Sequence, residues 1–205
     1  AMRVLFVWPN KDSFGYKPLS ISLLSAIARQ HGWQTALFDT TEFDLGFSDN
    51  TKSGEAASIF KPVDLSRFGL RKVKVDLEAE FKKALAKHSP DLLAISVLSD
   101  EFQIASTLTG LAKKWQTELP VIWGNKYPTL NPELTLQVHR ADFVCLGEGL
   151  DAFAELLDTL AKGGDASTIP NIWTKDKRGQ IIKNELRPLR QNLDDLPQVD
   201  WEIFD

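Results

Sequence analysis

Cysteine is almost missing from this 205-residue chain. Cys145 stands alone in an apolar run, which excludes internal disulfides and any all-protein cysteine cage for zinc or an iron–sulfur cluster. A reducing, cytoplasmic setting is the simplest expectation. Long apolar runs are missing too: none approaches the roughly 20 residues that span a bilayer, and the start Ala-Met-Arg-Val has no signal-peptide character. No membrane partner is expected. An excess of one charge is also lacking, with 24 Lys and Arg against 28 Asp and Glu. A net charge of -4 and a pI near 5.5, without a clustered basic surface, give no reason to expect nucleic acid. Nucleotide-binding signatures are absent as well: no GxGxxG follows the first strand, and no GxxxxGK precedes a Ser or Thr. An acidic pair with a phospho-acceptor aspartate, as in receiver domains, does not occur. An FMN phosphate loop would need more hydroxyls than Ser13 offers between Asn10 and Tyr16.

What is present is an alternation of strand and helix. At 43% hydrophobic and 25% charged, the chain has ordinary globular composition and enough length for one sizeable core plus an appendage. Arg3 to Trp8 is an apolar run ending at Pro9, and Pro18 to Gln30 has helical spacing closed by His31-Gly32. Strands follow at Trp33 to Phe38, Leu92 to Val97, Val121 to Trp123 and Asp142 to Leu146. Helices are expected from Val75 to Lys87, from Asp100 as a cap to about Gln116, from Pro132 to His139, and from Gly149 to Gly163-Gly164. Continuous apolar strands are buried on both faces, so the predicted class is α/β, a doubly wound parallel five-stranded sheet with helices on either side.

Two regions break the alternation. Residues 40 to about 74 scatter Gly, Ser, Asp and single aromatics (Phe43, Phe47, Phe60, Phe68) without a period. Because this insertion leaves the carboxyl end of the second strand, a lid over the ligand edge and a surface loop pinned by its aromatics are both open readings. The tail reads as a β-hairpin, Ile172-Trp-Thr and Gln180-Ile-Ile-Lys around Gly179, then Leu193-Asp-Asp-Leu-Pro-Gln-Val-Asp-Trp. The expected division is residues 1–165 as an α/β domain and 166–205 as hairpin and linker.

The site follows from two stretches, Val121-Ile-Trp-Gly-Asn-Lys-Tyr-Pro-Thr-Leu-Asn-Pro-Glu133 and Asp142-Phe-Val-Cys-Leu-Gly-Glu-Gly149. Each runs an apolar strand into a turn where glycine allows close backbone approach. Ligands of open parallel sheets bind at the carboxyl ends of the strands, so Gly124 and Gly147 read as floor and wall of one site.

These residues, with Phe6-Val-Trp-Pro, Leu37-Phe-Asp-Thr, Ser96-Val-Leu98, Ile169-Pro-Asn-Ile-Trp and Leu193-Asp-Asp-Leu-Pro, resemble the N-terminal part of B12-binding radical-SAM proteins. The resemblance covers nearly the whole chain. It implies a flavodoxin-like cobalamin-binding domain, with the Leu-Asp-Asp-Leu-Pro segment as linker to a radical-SAM domain of the same chain. The CxxxCxxC signature that holds a 4Fe-4S cluster is absent, so a truncated piece is expected, with the cluster and S-adenosylmethionine belonging to the rest. Ser96 and Leu98 match the family's Ser-x-Leu motif, where the serine reaches the displaced lower base. Gly124 matches the first of a Gly-Gly pair, but Asn125 replaces the second, and Tyr127 stands where a histidine usually precedes Pro128-Thr129. A hydroxyl or stacking face from Tyr127 is the expectation there.

The loop after strand one, Pro9-Asn-Lys-Asp-Ser-Phe-Gly-Tyr-Lys-Pro18, lacks the Asp-x-His-x-x-Gly by which other B12 proteins place imidazole on cobalt. His31, His88 and His139 all fall near predicted helix C-termini, so base-off, His-off binding is expected. The candidate cofactor contacts are Asn10, Asp12, Ser13, Phe14, Gly15 and Tyr16 after the first strand and Ser96, Leu98 and Ser99 after the third. Gly124, Asn125, Lys126, Tyr127 and Pro128 follow after the fourth, and Gly147, Glu148 and Gly149 after the fifth. Glu148 is read as a binding residue, for ribose or side-chain amides. Trp201 and Phe204 are expected to be exposed for a missing domain. The resemblance implies the cobalamin-binding part of a methyltransferase, binding but not catalysing by itself. A cyclase of the same family, or a domain that recognises substrate without cofactor, stays open.

Overall fold

The computed structural model describes residues 1–11, 16–46 and 65–205. The first strand, β1 (Arg3–Trp8), is buried from Val4 to Trp8, as a run apolar on both faces must be. Helix α1 (Leu19–Gln30) starts behind Pro18 and ends where Gly32 takes φ 77°. Strand β2 (Gln34–Asp39) follows. Two short strands of the insertion, β3 (Phe43–Asp44) and β4 (Val73–Lys74), pair parallel to each other. Helix α2 (Leu77–His88) is capped by Asp76, whose carboxylate accepts from Ala79 N–H at 3.1 Å, and stops at Ser89 in the left-handed region. After β5 (Leu92–Ser96) come α3 (Phe102–Trp115), β6 (Val121–Gly124), α4 (Lys126–Leu130), α5 (Pro132–Gln137), β7 (Phe143–Cys145) and α6 (Leu150–Ala161). The hairpin strands are β8 (Ile172–Lys175) and β9 (Ile181–Ile182).

The sheet order is β2-β1-β5-β6-β7-β8-β9. The first five strands are parallel and the last two antiparallel, so the expected five-stranded sheet is present and the hairpin extends its edge. Chain order reverses at β1 and β5, which places the topological switch point between them.

Alternation along the strands divides the core. Leu5, Val7, Leu93, Ile95, Val121 and Trp123 face one way and pack with Phe81, Leu85, Ile104 and Leu108 of α2 and α3. Val4, Phe6, Ala94, Ile122 and Cys145 face the other way and pack with Ile21 of α1 and Phe153 and Leu156 of α6. No helix among the described residues is long and apolar enough to cross a membrane.

Four details differ from the sequence expectation. Asp100 does not cap α3; Glu101 precedes it and accepts from Leu98 N–H at 2.9 Å, while Asp100 pairs with Lys11 at 3.6 Å. Helix α4 was not legible as an element of its own. In the insertion, Phe43 packs against Phe38 at 5.9 Å while Phe68 is exposed; Phe47 and Phe60 lie outside the described residues, as does the lid reading that depends on them. The tail is not free. Asp200 is buried against α1, accepting from Ser25 Oγ at 2.6 Å and facing Arg29 Nε at 3.2 Å, and Phe204 packs on the core while Trp201 is half exposed.

Candidate cofactor-binding site

A cavity of about 530 Å³ opens at the carboxyl ends of the parallel strands, between α1 and α6. Its size falls in the range of small-molecule sites, about 300 to 1,000 Å³. The strands supply the floor: Phe6 and Trp8 from β1, Ala94 and Ser96 from β5, Ile122 and Gly124 from β6, and Cys145 from β7. Ile21 and Leu24 of α1 form one wall, Leu150 and Phe153 of α6 the other. Ser96 lies opposite Gly124 in the register of adjacent strands.

Small side chains make this space. A Cβ added at Gly124 would meet nothing within 4 Å, so the missing side chain is part of the cavity. Gly147 holds φ 66°, turning the chain from β7 toward α6, and the Asn171 amide behind it donates to Leu146 O at 2.7 Å. A Cβ on Gly149 would sit 3.0 Å from Cys145 Sγ, so the first turn of α6 needs glycine to come this close to the sheet. Burial pushes the Cys145 thiol up to about 12, leaving it a neutral floor residue.

The rim is polar. Asn125 Oδ1 accepts from Lys126 N–H at 2.8 Å, and its Nδ2 donates to Ser96 Oγ at 3.0 Å. Asn125 has φ 85° and ψ -160°, a conformation natural to glycine and costly by about 1–3 kcal/mol for other residues. The residue that replaces the expected second glycine therefore keeps the glycine backbone.

Of the residues read from sequence, Tyr16, Ser96, Leu98, Gly124, Asn125, Lys126, Gly147 and Gly149 line this cavity. Asp12, Ser13, Phe14 and Gly15 lie outside the described residues. Tyr127 and Pro128 are corrections: both are buried and outside the cavity lining, and Tyr127 packs in the core on the far side of the sheet. The Tyr127 ring stacks on Phe102 at 4.9 Å, and its hydroxyl is 2.9 Å from His139 Nε2, because α4 begins at Lys126 and turns the next side chain inward. Asn10 is buried and donates to Thr41 Oγ1 at 2.8 Å, tying the first loop to the end of β2 instead of lining the cavity. Ser99 is exposed and outside the lining. Glu148 faces a separate small cavity of about 80 Å³ under the tail. There Arg187 and Arg190 pair with Glu155 and Asp151 of α6.

Sequence reasoning missed Ala94 and Cys145, although each sits two residues before a chosen site residue, Ser96 and Gly147, and period two places Ala94 on the face of Ser96. It also missed the α1 wall, where nothing in the local pattern marks Ile21 or Leu24 as more than core.

No histidine lines the cavity. His31 faces Asp158 at 2.7 Å, and His88 ends α2 with its carbonyl accepting from Arg3. His139 sits between Trp123, Tyr127 and Ser106, with Ser106 Oγ 2.9 Å from Nδ1. Burial alone holds its pKa below the ordinary histidine value.

Residues 64–157 match the family model of the B12 binding domain. Over those residues the chain is similar to B12-binding domains. A methyltransferase of Pyrococcus horikoshii, uncharacterized methyltransferase PH0819, is 30% identical over 127 residues, 62% of this chain and 28% of that protein. The radical S-adenosylmethionine methyltransferase TsrM from Kitasatospora setae, solved with cobalamin and an iron–sulfur cluster bound, has a similar fold. Its TM-score is 0.62 at 17% identity over 96% of this chain and 31% of that one. The cobalamin-dependent S-adenosylmethionine radical enzyme OxsB, with aqua-cobalamin and S-adenosylmethionine, superposes with a TM-score of 0.68 at 17% identity over 99% of this chain and 24% of its own. This chain thus spans about a quarter to a third of the length of these relatives. The resemblance read from the sequence agrees with both kinds of match. The cavity also suits the nucleotide tail of cobalamin physically. A flat base with its ribose and phosphate needs a deep slot beside the sheet, floored by small residues, and Ala94, Gly124 and Cys145 provide one.

Proposed function

We propose that this chain holds cobalamin base-off and His-off, as the cofactor-binding part of a radical-SAM methyltransferase. The observation that carries the reading is the slot itself: it opens at the switch point, and the Cβ direction of Gly124 points into empty space within it. Ser96, Gly124, Gly147 and Gly149 would line the nucleotide tail, and Tyr16, Leu98 and Lys126 the mouth. Bound cobalamin supplies a cobalt centre able to carry and release a methyl group. The chain's own residues would bind and orient it, and no histidine lines the cavity to ligate it, since all three histidines are placed elsewhere. The 4Fe-4S cluster and S-adenosylmethionine would be bound by the remainder of a longer protein, as the share of the relatives covered suggests. Isolated, the domain binds without catalysing.

Visible titration of the purified chain with hydroxocobalamin and methylcobalamin tests this. Saturable binding with a base-off spectrum free of an imidazole signature is the expected result. A histidine-ligated spectrum would overturn the axial arrangement, and failure to saturate at high micromolar corrinoid would overturn the cofactor assignment.

A further inference from the structure

The hydrogen bonds around Asn125 decide which way the Ser96 hydroxyl can face. The backbone N–H of Lys126 is only a donor, and it lies 2.8 Å from one terminal atom of the Asn125 amide, so that atom is the oxygen. The other atom is therefore the NH₂ group, 3.0 Å from Ser96 Oγ. Ser96 must accept there. Its one proton has no acceptor among the described residues, while the side chain lines the cavity beside Gly124. The donor left over is available only to what enters the slot.

We infer that Asn125 is a positioning residue that fixes Ser96 as a hydrogen-bond donor toward the slot, so that the site selects corrinoids whose lower base carries an unprotonated ring nitrogen. The inference rests on the cofactor reading above. Asn125 occupies a backbone conformation at φ 85° that glycine would adopt without strain, so a glycine there would make the turn more easily. What asparagine adds is the side-chain bridge from Lys126 N–H to Ser96. An aspartate would accept from Lys126 in the same way, but its second oxygen would take the Ser96 proton and turn the serine lone pairs toward the cavity.

The test is the dissociation constant of the full 205-residue chain for two corrinoids, cobalamin and p-cresolylcobamide, whose phenolic lower group has no ring nitrogen. The cost of freeing the base of cobalamin belongs to the free corrinoid and cancels when variants are compared with the unchanged chain. Ser96→Ala and Asn125→Asp should weaken cobalamin about 3- to 10-fold, the worth of one hydrogen bond, while p-cresolylcobamide shifts less than about 2-fold. Asn125→Gly frees the serine to rotate and should give a smaller loss of discrimination in a chain that folds at least as well. A cobalamin to p-cresolylcobamide ratio unchanged in Asn125→Asp, or two affinities that fall together, would overturn the inference and leave the cofactor reading standing. Failure of the unchanged chain to bind either corrinoid would overturn both.

Discussion

The two faces of the sheet are built from the same strands and do opposite things. On β6, Trp123 fills the face covered by α2 and α3 with a fully buried indole, whose N–H donates to Thr109 Oγ1 at 2.9 Å. The next residue, Gly124, leaves the α1 and α6 face open. The same alternation sets Ile95 against Ala94 and Ser96 on β5, with bulk on one side and its absence on the other. A strand two residues out of phase would keep this division, whereas a slip of one would put an indole into the slot and a void into the core. Both faces carry a packed core, but the open slot at the strand ends is confined to the α1 and α6 side.

The largest effect should come from breaking the filled face. Trp123→Ala removes a buried indole, stacked 5.1 Å from His139, and should cost about 3–5 kcal/mol in urea unfolding. A loss under about 1 kcal/mol would mean that the packing around Trp123 contributes little to stability. Next is the tail that straps α1. Asp200→Ala leaves Ser25 and Arg29 without their carboxylate; because Arg29 is half exposed, the expected loss is about 1–2 kcal/mol rather than that of a fully buried pair. Thermal unfolding with and without corrinoid would separate a cost in stability from a change in the slot that α1 walls.

The smallest effect sharpens the contrast through pH. His139 and His88 are both lowered by burial, His88 also by Lys87 and Arg3. Each is protonated more readily in the unfolded chain, so stability present above the unfolded value of about 6.5 is lost as pH falls through it. His139→Gln should flatten the slope of stability between pH 7 and 5.5 by the share of the filled face. An unchanged slope would assign the effect to His88.

How much of this was legible follows the same division. The five parallel strands showed themselves as apolar runs, and Gly124 and Gly147 as glycines at strand ends, because those signals are local. Tyr127 was misread since its sequence position, just past a strand end, is the same for a rim residue as for one rotated inward by α4. Its partners Phe102 and His139 come from other elements. Asp200 looked like part of a polar linker because its partners Ser25 and Arg29 lie at the other end of the chain. The conformation of Asn125 was invisible, since residue type alone pointed away from a glycine geometry.

The central claim is that the empty side of Gly124 is where the cofactor goes, and Gly124→Trp tests it most directly. Backbone geometry permits the change and no neighbour opposes a Cβ, so the variant should unfold within about 1 kcal/mol of the unchanged chain. Its indole should fill the slot and weaken hydroxocobalamin binding at least about 100-fold, a loss of about 2.7 kcal/mol. A folded Gly124→Trp chain that binds hydroxocobalamin with undiminished affinity would contradict the account.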